Sequence, residues 1–449
     1  MAVMAAASAA PAAAPYEREA AELTKAALTG TDFSKLEYLC DTFGPRFSGS
    51  ENQVLAIDWM LEKDGLANVR GEPVDGIINW KRGKESLELL HPRRTSMALL
   101  GLGKSAGTGS EGVTAEVFVV STFEELTANA DKAKGKIVLF NAPFTTYGQT
   151  VAFRSRGADA ASAVGAVAAL VRSVTPYSLY TPHTGGVNYS DKQPRIPAAA
   201  VTVEDSEMMA RMQKRGQAVV VRLQMDAQIL GYNVSSRNVI AEVVGGADPE
   251  GIVLLGGHVD SWDVGTGAVD DGAGFFCAWE AVRLINDLIE ERKIARPRRT
   301  IRFIAWADEE MTGRGAVTYK ETHEHELKRH QIAVESDIGN FDPYGFGFTG
   351  SADGLAIFRN LSGLLEPVKV GEIVEGAGTT VDNAPLVAAG VPGGALLDSK
   401  GSSHYFNYHH SSADTITALN YDGVRRSVAA MAVMSYVLAD IPDDLPHAA

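Results

Sequence analysis

Cysteine is scarce in this chain, and the scarcity excludes a fold held together by crosslinks. The 449 residues include two cysteines, Cys40 and Cys277, which are too few for a disulfide framework. Cys277 lies in the apolar run FFCAWE, a setting in which a free cysteine is usually a small core residue. We therefore predict that Cys277 packs in the core and is not a nucleophile.

A net positive charge and long hydrophobic runs are also absent. The formal net charge is −15, which argues against nucleic acid and anionic membrane surfaces as partners. No apolar segment approaches the roughly 20 residues that a membrane-spanning helix needs. The remaining composition, 45% hydrophobic and 22% charged, is ordinary for a globular protein. The length is sufficient for two or three domains.

The first 15 residues differ from the rest of the chain. MAVMAAASAAPAAAP is rich in alanine and proline and low in complexity. It lacks the basic start of a full signal peptide, but it has the A-x-A steps that precede a cleavage site. We interpret residues 1–15 as a disordered leader or a signal remnant, and we expect a secreted or periplasmic protein.

The order of the apolar runs predicts an α/β fold with an insertion. In residues 226–449, runs such as TIRFIAW alternate with helical stretches, which is typical of a doubly wound sheet. Residues 239–244 and 252–255 should form a hairpin or neighbouring strands. Residues 114–225 have shorter apolar runs and a single histidine, His183. We predict that they form an inserted domain with a binding or gating role, and that residues 16–113 and 226–449 form the main domain.

The stretch GIVLLGGHVDSWDVGTGAVDDGAG carries the first candidate site residues. Its run Ile252–Leu255 has the pattern of a buried strand, and His258 and Asp260 follow where that strand ends. Because strand side chains alternate with a period of two, both can point the same way, and the carboxylate can then accept the spare N–H of the imidazole. Asp270–Asp271 follows in a glycine-rich turn into a helix.

Further candidates follow three other predicted strands. Glu309 and Glu310 follow TIRFIAW, Asp337 follows QIAVE, and a later loop carries His404, His409 and His410. Two adjacent glutamates cannot point the same way, so one can bind a metal while the other faces the substrate water as a general base. In open α/β sheets, the carboxyl ends of the strands line the ligand crevice.

Together these side chains suit a pair of divalent cations. One ion would be held by His258 and Asp337 and the other by Glu310 and His410, with Asp270 between them. The mixture of imidazole and carboxylate ligands makes zinc the first choice. Single residues of this kind often only cap helices or complete a core. The whole set, each member after a buried strand, is difficult to explain by coincidence.

One histidine-rich stretch is excluded as a metal site. THEHELKRH, residues 322–330, lacks the H-E-x-x-H pattern because His325 is followed by His330 at the fifth position and not the fourth. We interpret it as a solvated helix surface. The glycine pairs Gly265/Gly267 and Gly272/Gly274 do not make a dinucleotide fingerprint. The segment GPRFSGS contains serines but not a G-x-S-x-G elbow, so it gives serine-hydrolase chemistry little support.

Five motifs resemble those of the di-zinc exopeptidase family of the leucyl aminopeptidase and glutamate carboxypeptidase II type. In chain order they are GGHVDSW, GAVDDGAG, WADEE, VESDIGNF and YHHSSADT. The likeness covers most of the chain after residue 15, and the middle segment resembles the protease-associated domain of this branch. The resemblance implies a doubly wound mixed α/β sheet of the zinc-dependent exopeptidase type, with that domain inserted. One departure is Asp308, where the family commonly has alanine.

The resemblance also implies two Zn²⁺ ions per chain and a role for each site residue. It assigns metal binding to five residues spread along the chain: His258, Asp270, Glu310, Asp337 and His410. Glu309 would be the general base, Asp260 would orient His258, and His409 would donate a hydrogen bond to the oxyanion. A cis peptide bond would join Asp270 to Asp271.

We therefore expect a di-zinc metallopeptidase that hydrolyses short peptides or N-acyl amino acids, as a dipeptidase or carboxypeptidase does. The resemblance further implies a homodimer. Two alternatives stay open. One is an aminopeptidase that acts on longer peptides. The other is a non-catalytic, receptor-like member of the fold, which the filled ligand positions disfavour.

Overall fold

The computed structural model describes residues 16–63, 65–401 and 403–447. The predicted leader, residues 1–15, lies outside the described residues. Two eight-stranded sheets organise the described part of the chain. In chain order the strands are β1 (Ala67–Lys81), β2 (Glu85–His91), β3 (Thr95–Met97), β4 (Leu99–Gly101), β5 (Val113–Val120), β6 (Ile137–Phe140), β7 (Ala168–Arg172), β8 (Ala198–Val201), β9 (Val220–Met225), β10 (Gln228–Val243), β11 (Asp248–His258), β12 (Arg299–Trp306), β13 (His330–Glu335), β14 (Pro343–Thr349), β15 (Glu372–Glu375) and β16 (Gly393–Asp398).

Helices connect the strands and cover both sheets. In chain order they are α1 (Glu17–Gly30), α2 (Ser34–Tyr38), α3 (Glu51–Lys63), α4 (Phe123–Ala128), α5 (Ala130–Ala133), α6 (Tyr147–Ala163), α7 (Val203–Lys214), α8 (Ala273–Glu290), α9 (Arg314–Thr322), α10 (Ala352–Leu361), α11 (Ala384–Ala388) and α12 (Tyr421–Asp440). In the described ranges, no helix combines the length and the apolar character that a membrane crossing requires.

The first sheet has the order β1-β10-β12-β11-β13-β16-β14-β15. β11 pairs in parallel with β12 and β13, β13 with β16, and β14 with β15. β10 is antiparallel to both of its neighbours, and β14 is antiparallel to β16. The predicted mixed α/β sheet is therefore confirmed. The carboxyl ends of β11, β12, β13 and β16 lie at one edge, where such folds bind ligands.

One predicted neighbour pair is wrong. β10 and β11 do not pair, because β12 lies between them and bonds to both. The chain leaves β11 through α8 and returns as β12, and a crossover of this kind places the two parallel strands side by side. The shortness of the turn between β10 and β11 was therefore a poor guide to their pairing.

The first sheet buries alternate residues of each strand on opposite faces. In β11, Val253 and Leu255 pack in the same core as α1, α8 and α12. Ile252 and Leu254 face the other way, toward α9 and α11. Cys277 of α8 is fully buried in the first of these cores, as predicted. Helices on both faces make the sheet a buried platform, which holds the strand ends rigidly.

The second sheet has the order β3-β2-β9-β5-β6-β7-β8-β4. It includes three strands from residues 85–101, which lie before the boundary predicted at residue 114. β2 joins this sheet because it pairs antiparallel with β9, more than a hundred residues later in the chain. A pairing between such distant segments leaves no mark on local composition.

The histidine-rich stretch after α9 is not a solvated helix surface. His323 and His330 are buried. His323 Nε2 lies 2.9 Å from Glu72 Oε2, and its Nδ1 lies 2.7 Å from Glu326 Oε1. Tyr319 contacts His330 through a 2.9 Å bond between its hydroxyl and Nε2. The stretch forms a structural polar network because β1 and α9 pack over it.

Gly274, at the start of α8, allows the helix to approach the end of β13. A Cβ at this position would lie 1.9 Å from the backbone oxygen of Ser336 and 2.0 Å from Asp271 Oδ1. Both distances are far inside van der Waals contact, so any side chain would push α8 away. Since Asp270–Asp271 directly precedes α8, this close approach also places the candidate site loop.

Replacing Gly274 by alanine should destabilise the protein by at least about 1–3 kcal/mol, as overpacking of a rigid interior does. Gly363 is the matched control because a Cβ there meets nothing within 4 Å, and its replacement by alanine should change stability by less than about 0.5 kcal/mol. Denaturant unfolding measures both. Equal stabilities of the two variants would contradict this account of Gly274.

Candidate metal centre

The strand ends of the first sheet meet around one cavity of about 340 Å³. Its lining includes six of the predicted site residues: Asp270, Glu309, Glu310, Asp337, His409 and His410. A seventh, His258, is fully buried beside them at the end of β11. The structure therefore brings together residues that are up to 152 positions apart in the sequence, from His258 to His410.

Asp270 lies between two imidazoles. Its Oδ1 is 3.2 Å from His258 Nε2, and its Oδ2 is 3.3 Å from His410 Nε2. On the first side, Asp337 Oδ1 lies 3.7 Å from His258 Nε2. On the second side, Glu310 Oε2 lies 3.0 Å from His410 Nε2. The five predicted ligands thus form two groups that share the Asp270 carboxylate.

The backbone at Asp270 turns sharply to reach this position. The peptide bond between Asp270 and Asp271 is cis, as the family resemblance implied. Asp414 accepts hydrogen bonds from the backbone N–H groups of Val269, at 2.6 Å, and of Asp270, at 3.3 Å. Asp271 Oδ2 accepts the backbone N–H of His258 at 3.1 Å. The turn is therefore anchored on both sides by buried carboxylates.

His258 is oriented by a backbone group. Its Nδ1 lies 2.9 Å from the backbone oxygen of Asp260, so Nδ1–H donates to that carbonyl and Nε2 faces Asp270. The Asp260 carboxylate, which we expected to make this contact, is 3.9 Å from Nδ1. It instead accepts the backbone N–H groups of Glu309, at 3.1 Å, and Glu310, at 3.3 Å, and the Ser48 hydroxyl at 2.8 Å.

Glu309 and Glu310 point to different sides of the cavity. Glu310 contacts His410, whereas Glu309 Oε2 lies 3.8 Å from His258 Nε2. Asp308, just before them, has a positive φ of 66°, which turns the chain at the end of β12. Burial raises the pKa of Glu309 well above its ordinary value, and Asp337 adds to the rise while His258 opposes it.

The cavity holds more negative charge than its own residues neutralise. Burial, followed by the neighbouring Asp270, raises the pKa of Glu310, and burial with Asp337 raises that of Asp271. The pKa of His258 is raised in turn, because the nearby carboxylates of Asp270 and Asp337 outweigh the effect of burial. Such mutual repulsion among buried carboxylates is what a bound cation relieves.

The donor atoms fit divalent cations. Several buried site atoms have no hydrogen-bond partner among the described residues, namely His258 Nε2, Asp270 Oδ2 and Glu310 Oε1. Unpaired buried polar atoms are costly unless something binds them. Two groups have ligand atoms close enough to hold an ion: His258 with Asp270 and Asp337, and His409 and His410 with Asp270. Imidazole nitrogen and carboxylate oxygen are ligands that zinc prefers.

His409 and His410 are consecutive residues of one loop, and their side chains lie side by side. Their rings stack with centroids 3.5 Å apart, and His409 Nε2 is 3.9 Å from Asp270 Oδ2. Burial lowers the pKa of His409 well below its ordinary value, and the neighbouring His410 adds to the effect. His410 also contacts Glu310, so it is the better placed of the two to complete a ligand group.

Among the cavity-wall residues that the sequence did not reveal are Tyr147, Arg154 and Tyr405. Tyr147 and Arg154 come from α6, which packs on the second sheet, and Tyr405 comes from the loop before His409. Arg154 Nη2 donates to the Tyr147 hydroxyl at 2.7 Å, and the Tyr405 hydroxyl donates to Asp337 Oδ1 at 3.1 Å. No local pattern marks the two residues of α6, because only tertiary packing brings them to the site.

Asp260→Asn should destabilise the protein by about 1–3 kcal/mol, because an amide cannot accept all three hydrogen bonds and leaves a buried backbone donor unpaired. Ser48→Ala, which removes one of those three donors, is the control and should cost about 1 kcal/mol or less. Chemical denaturation of the metal-depleted protein measures both. If the two substitutions cost the same, Asp260 does not anchor the two glutamates.

Comparison with known proteins supports these observations. The family model of Peptidase family M28 matches residues 238–435. Carboxypeptidase Q of Homo sapiens is 45% identical over 419 residues, which cover 92% of this chain and 86% of the relative. A peptidase M28 precursor from Shewanella amazonensis SB2B is 34% identical, with a TM-score of 0.91 over 97% of this chain and 99% of that one.

A zinc aminopeptidase from Bacillus subtilis is 22% identical, with a TM-score of 0.67 over 94% of this chain and 98% of that one. At this low identity, the similarity establishes a shared fold and nothing more. The much higher identity to carboxypeptidase Q extends over most of both chains, so the family predicted from the five motifs is confirmed, and with it the prediction of a hydrolase. The chain belongs to Peptidase family M28.

Proposed function

We propose that this protein is a di-zinc exopeptidase that hydrolyses short peptides or N-acyl amino acids. The observation that carries the proposal is the position of Asp270, whose two oxygens each face a different imidazole at 3.2 and 3.3 Å. A carboxylate that served only one ion would need only one such partner. The names of two similar proteins, carboxypeptidase Q and a zinc aminopeptidase, agree with a peptide substrate and with zinc.

In this proposal the five predicted ligands hold the two ions. His258 and Asp337 serve one ion, Glu310 and His410 serve the other, and Asp270 serves both. When bound, two zinc ions would lower the pKa of a water molecule between them and offset negative charge that develops on a substrate oxygen. The ions would also offset the repulsion among the buried carboxylates.

Glu309 is the proposed general base. It lines the cavity but is turned away from Glu310, so its carboxylate is free to face the reacting water. It would take a proton from that water as the scissile carbonyl is attacked, and then deliver the proton to the leaving amine. The Nε2–H group of His409 would donate a hydrogen bond to the oxyanion.

Glu309→Gln should lower kcat by about 10²–10⁴-fold, the usual contribution of a general base, while the protein keeps its zinc. Asp270→Ala is the contrasting variant and should lose both ions together. Steady-state kinetics and metal analysis after dialysis measure the two effects. Full turnover by Glu309→Gln would disprove its role as the base.

Arg154 favours a substrate with a free carboxylate near the scissile bond. The side chain lines the cavity, is 5% exposed, and has no acidic partner within ion-pair distance among the described residues. Its Nε is buried without a hydrogen-bond partner there. Gly185 leaves room for the guanidinium, because a Cβ at Gly185 would lie 2.2 Å from Arg154 Cζ. A buried cation without a carboxylate partner in a peptidase cavity suits the C-terminal carboxylate of a short peptide.

A dipeptide should therefore be cleaved faster than its C-terminal amide. A charged hydrogen bond contributes about 1.5–3 kcal/mol, or roughly 10- to 150-fold in kcat/KM. Arg154→Gln should lose this preference and keep its zinc, whereas Arg195→Gln, on the surface of the same domain, should keep both. Indifference of the wild-type protein to the amide, with stepwise cleavage of a pentapeptide from its N-terminus, would favour an aminopeptidase.

Three finer expectations stay predictions. The second domain is expected to be of the protease-associated type, the protein is expected to be a homodimer, and it is expected to be secreted or periplasmic. Analytical ultracentrifugation of the zinc-loaded protein tests the dimer. Cell fractionation tests the location.

A further inference from the structure

The second domain holds the backbone of the two cavity histidines. His183, in the loop after β7, is 1% exposed, and its Nδ1 lies 2.6 Å from the backbone oxygen of His409. The next residue, Thr184, donates its backbone N–H to the oxygen of His410 at 2.9 Å. His410 Nδ1 lies 3.3 Å from the backbone oxygen of Thr184. Two successive residues of one domain thus bond to two successive residues of the other.

The segment that they hold has an unusual backbone. His410 has a φ of 59°, in the left-handed region that favours glycine. This conformation stacks the rings of His409 and His410 and directs both Nε2 atoms toward Asp270. A residue other than glycine keeps a left-handed backbone conformation only where its surroundings impose it. The bonds to both carbonyl oxygens supply that constraint.

His183 does more than fill space. Burial lowers the pKa of His183 to about 4, so the ring is neutral at physiological pH and its one proton lies on Nδ1, facing the His409 carbonyl. Nε2 is then buried with no partner among the described residues. An apolar side chain of similar size would fill the volume without this unpaired nitrogen. The donor at Nδ1 is the property that distinguishes histidine from such a side chain.

We propose that His183 is a positioning residue for the His409–His410 pair. Its bond to the His409 carbonyl stabilises the left-handed turn at His410, and that turn directs His410 at the ion it shares with Glu310 and Asp270. The inference rests on the proposed di-zinc function. It extends the role predicted for the second domain, since that domain then shapes the metal centre although it holds none of the proposed ligands.

Three variants test the role of the Nδ1 donor. His183→Leu removes the donor, and His183→Asn keeps an amide N–H near the former position of Nδ1. His325→Leu makes the same change as the first variant at an exposed position. Zinc is removed by chelation, and calorimetric titration with Zn²⁺ then measures both sites in each protein. Turnover of a dipeptide is measured on the reloaded proteins.

His183→Leu should bind one of the two ions about tenfold to a hundredfold more weakly, as loss of an orienting partner does, and should lower kcat more than it changes KM. His183→Asn should recover most of both losses, and His325→Leu should match the wild type. Wild-type affinity in His183→Leu overturns the proposal, as does equal weakening in the Leu and Asn variants. If His183→Leu does not fold, His183→Gln, whose amide lies near Nε2, replaces it and should also fail to recover the affinity.

The outcomes separate this inference from the proposed function. If Glu309→Gln stays active, the general-base mechanism fails, while the titrations still decide the role of His183. If the wild-type protein binds one ion or none, the di-zinc proposal fails. In that case the inference about His183 is overturned as well, because there is no second site for it to shape.

Discussion

The Asp270 carboxylate, shared between His258 and His410, is the contact on which the rest of the centre depends. Its two oxygens face the two imidazoles at nearly equal distances, so neither group of candidate ligands is complete without it. Neighbouring residues hold the Asp270 carboxylate in this position. Asp414 accepts backbone donors at Val269 and Asp270, and Gly274 lets α8 follow the turn at close range.

This arrangement carries an electrostatic cost that the fold tolerates. Carboxylates from three strand ends and two loops share a mostly buried region, and their mutual repulsion opposes ionisation. A flexible framework would separate them. Here they project from a sheet covered by helices on both faces, so the packed core holds them together. In the proposed function, bound cations offset this negative charge. The packing of the whole fold maintains the backbone conformation of the loops that carry the carboxylates.

Much of the fold and of the site could be predicted from the sequence because the signals are local. Apolar runs mark buried strands, and the residues just after them are the ones that the sheet gathers at one edge. His258, Asp337 and the two glutamates could be found in this way. The two-residue spacing of His258 and Asp260 suggested a contact with the Asp260 carboxylate, but the backbone carbonyl of Asp260 makes the contact instead. Spacing alone does not distinguish these two acceptors.

The amino-acid sequence by itself determined the types of donor atom, their order along the chain and the α/β class, because all three depend on residue identity and short-range pattern. Only the tertiary structure decided the rest. The insertion of β12 beside β11, the membership of β2 in the second sheet, and the approach of Arg154 and His183 to the cavity all join segments far apart in the chain. Such contacts depend on how distant segments of the chain pack against each other, and that packing leaves no periodic signal in the residues that form it.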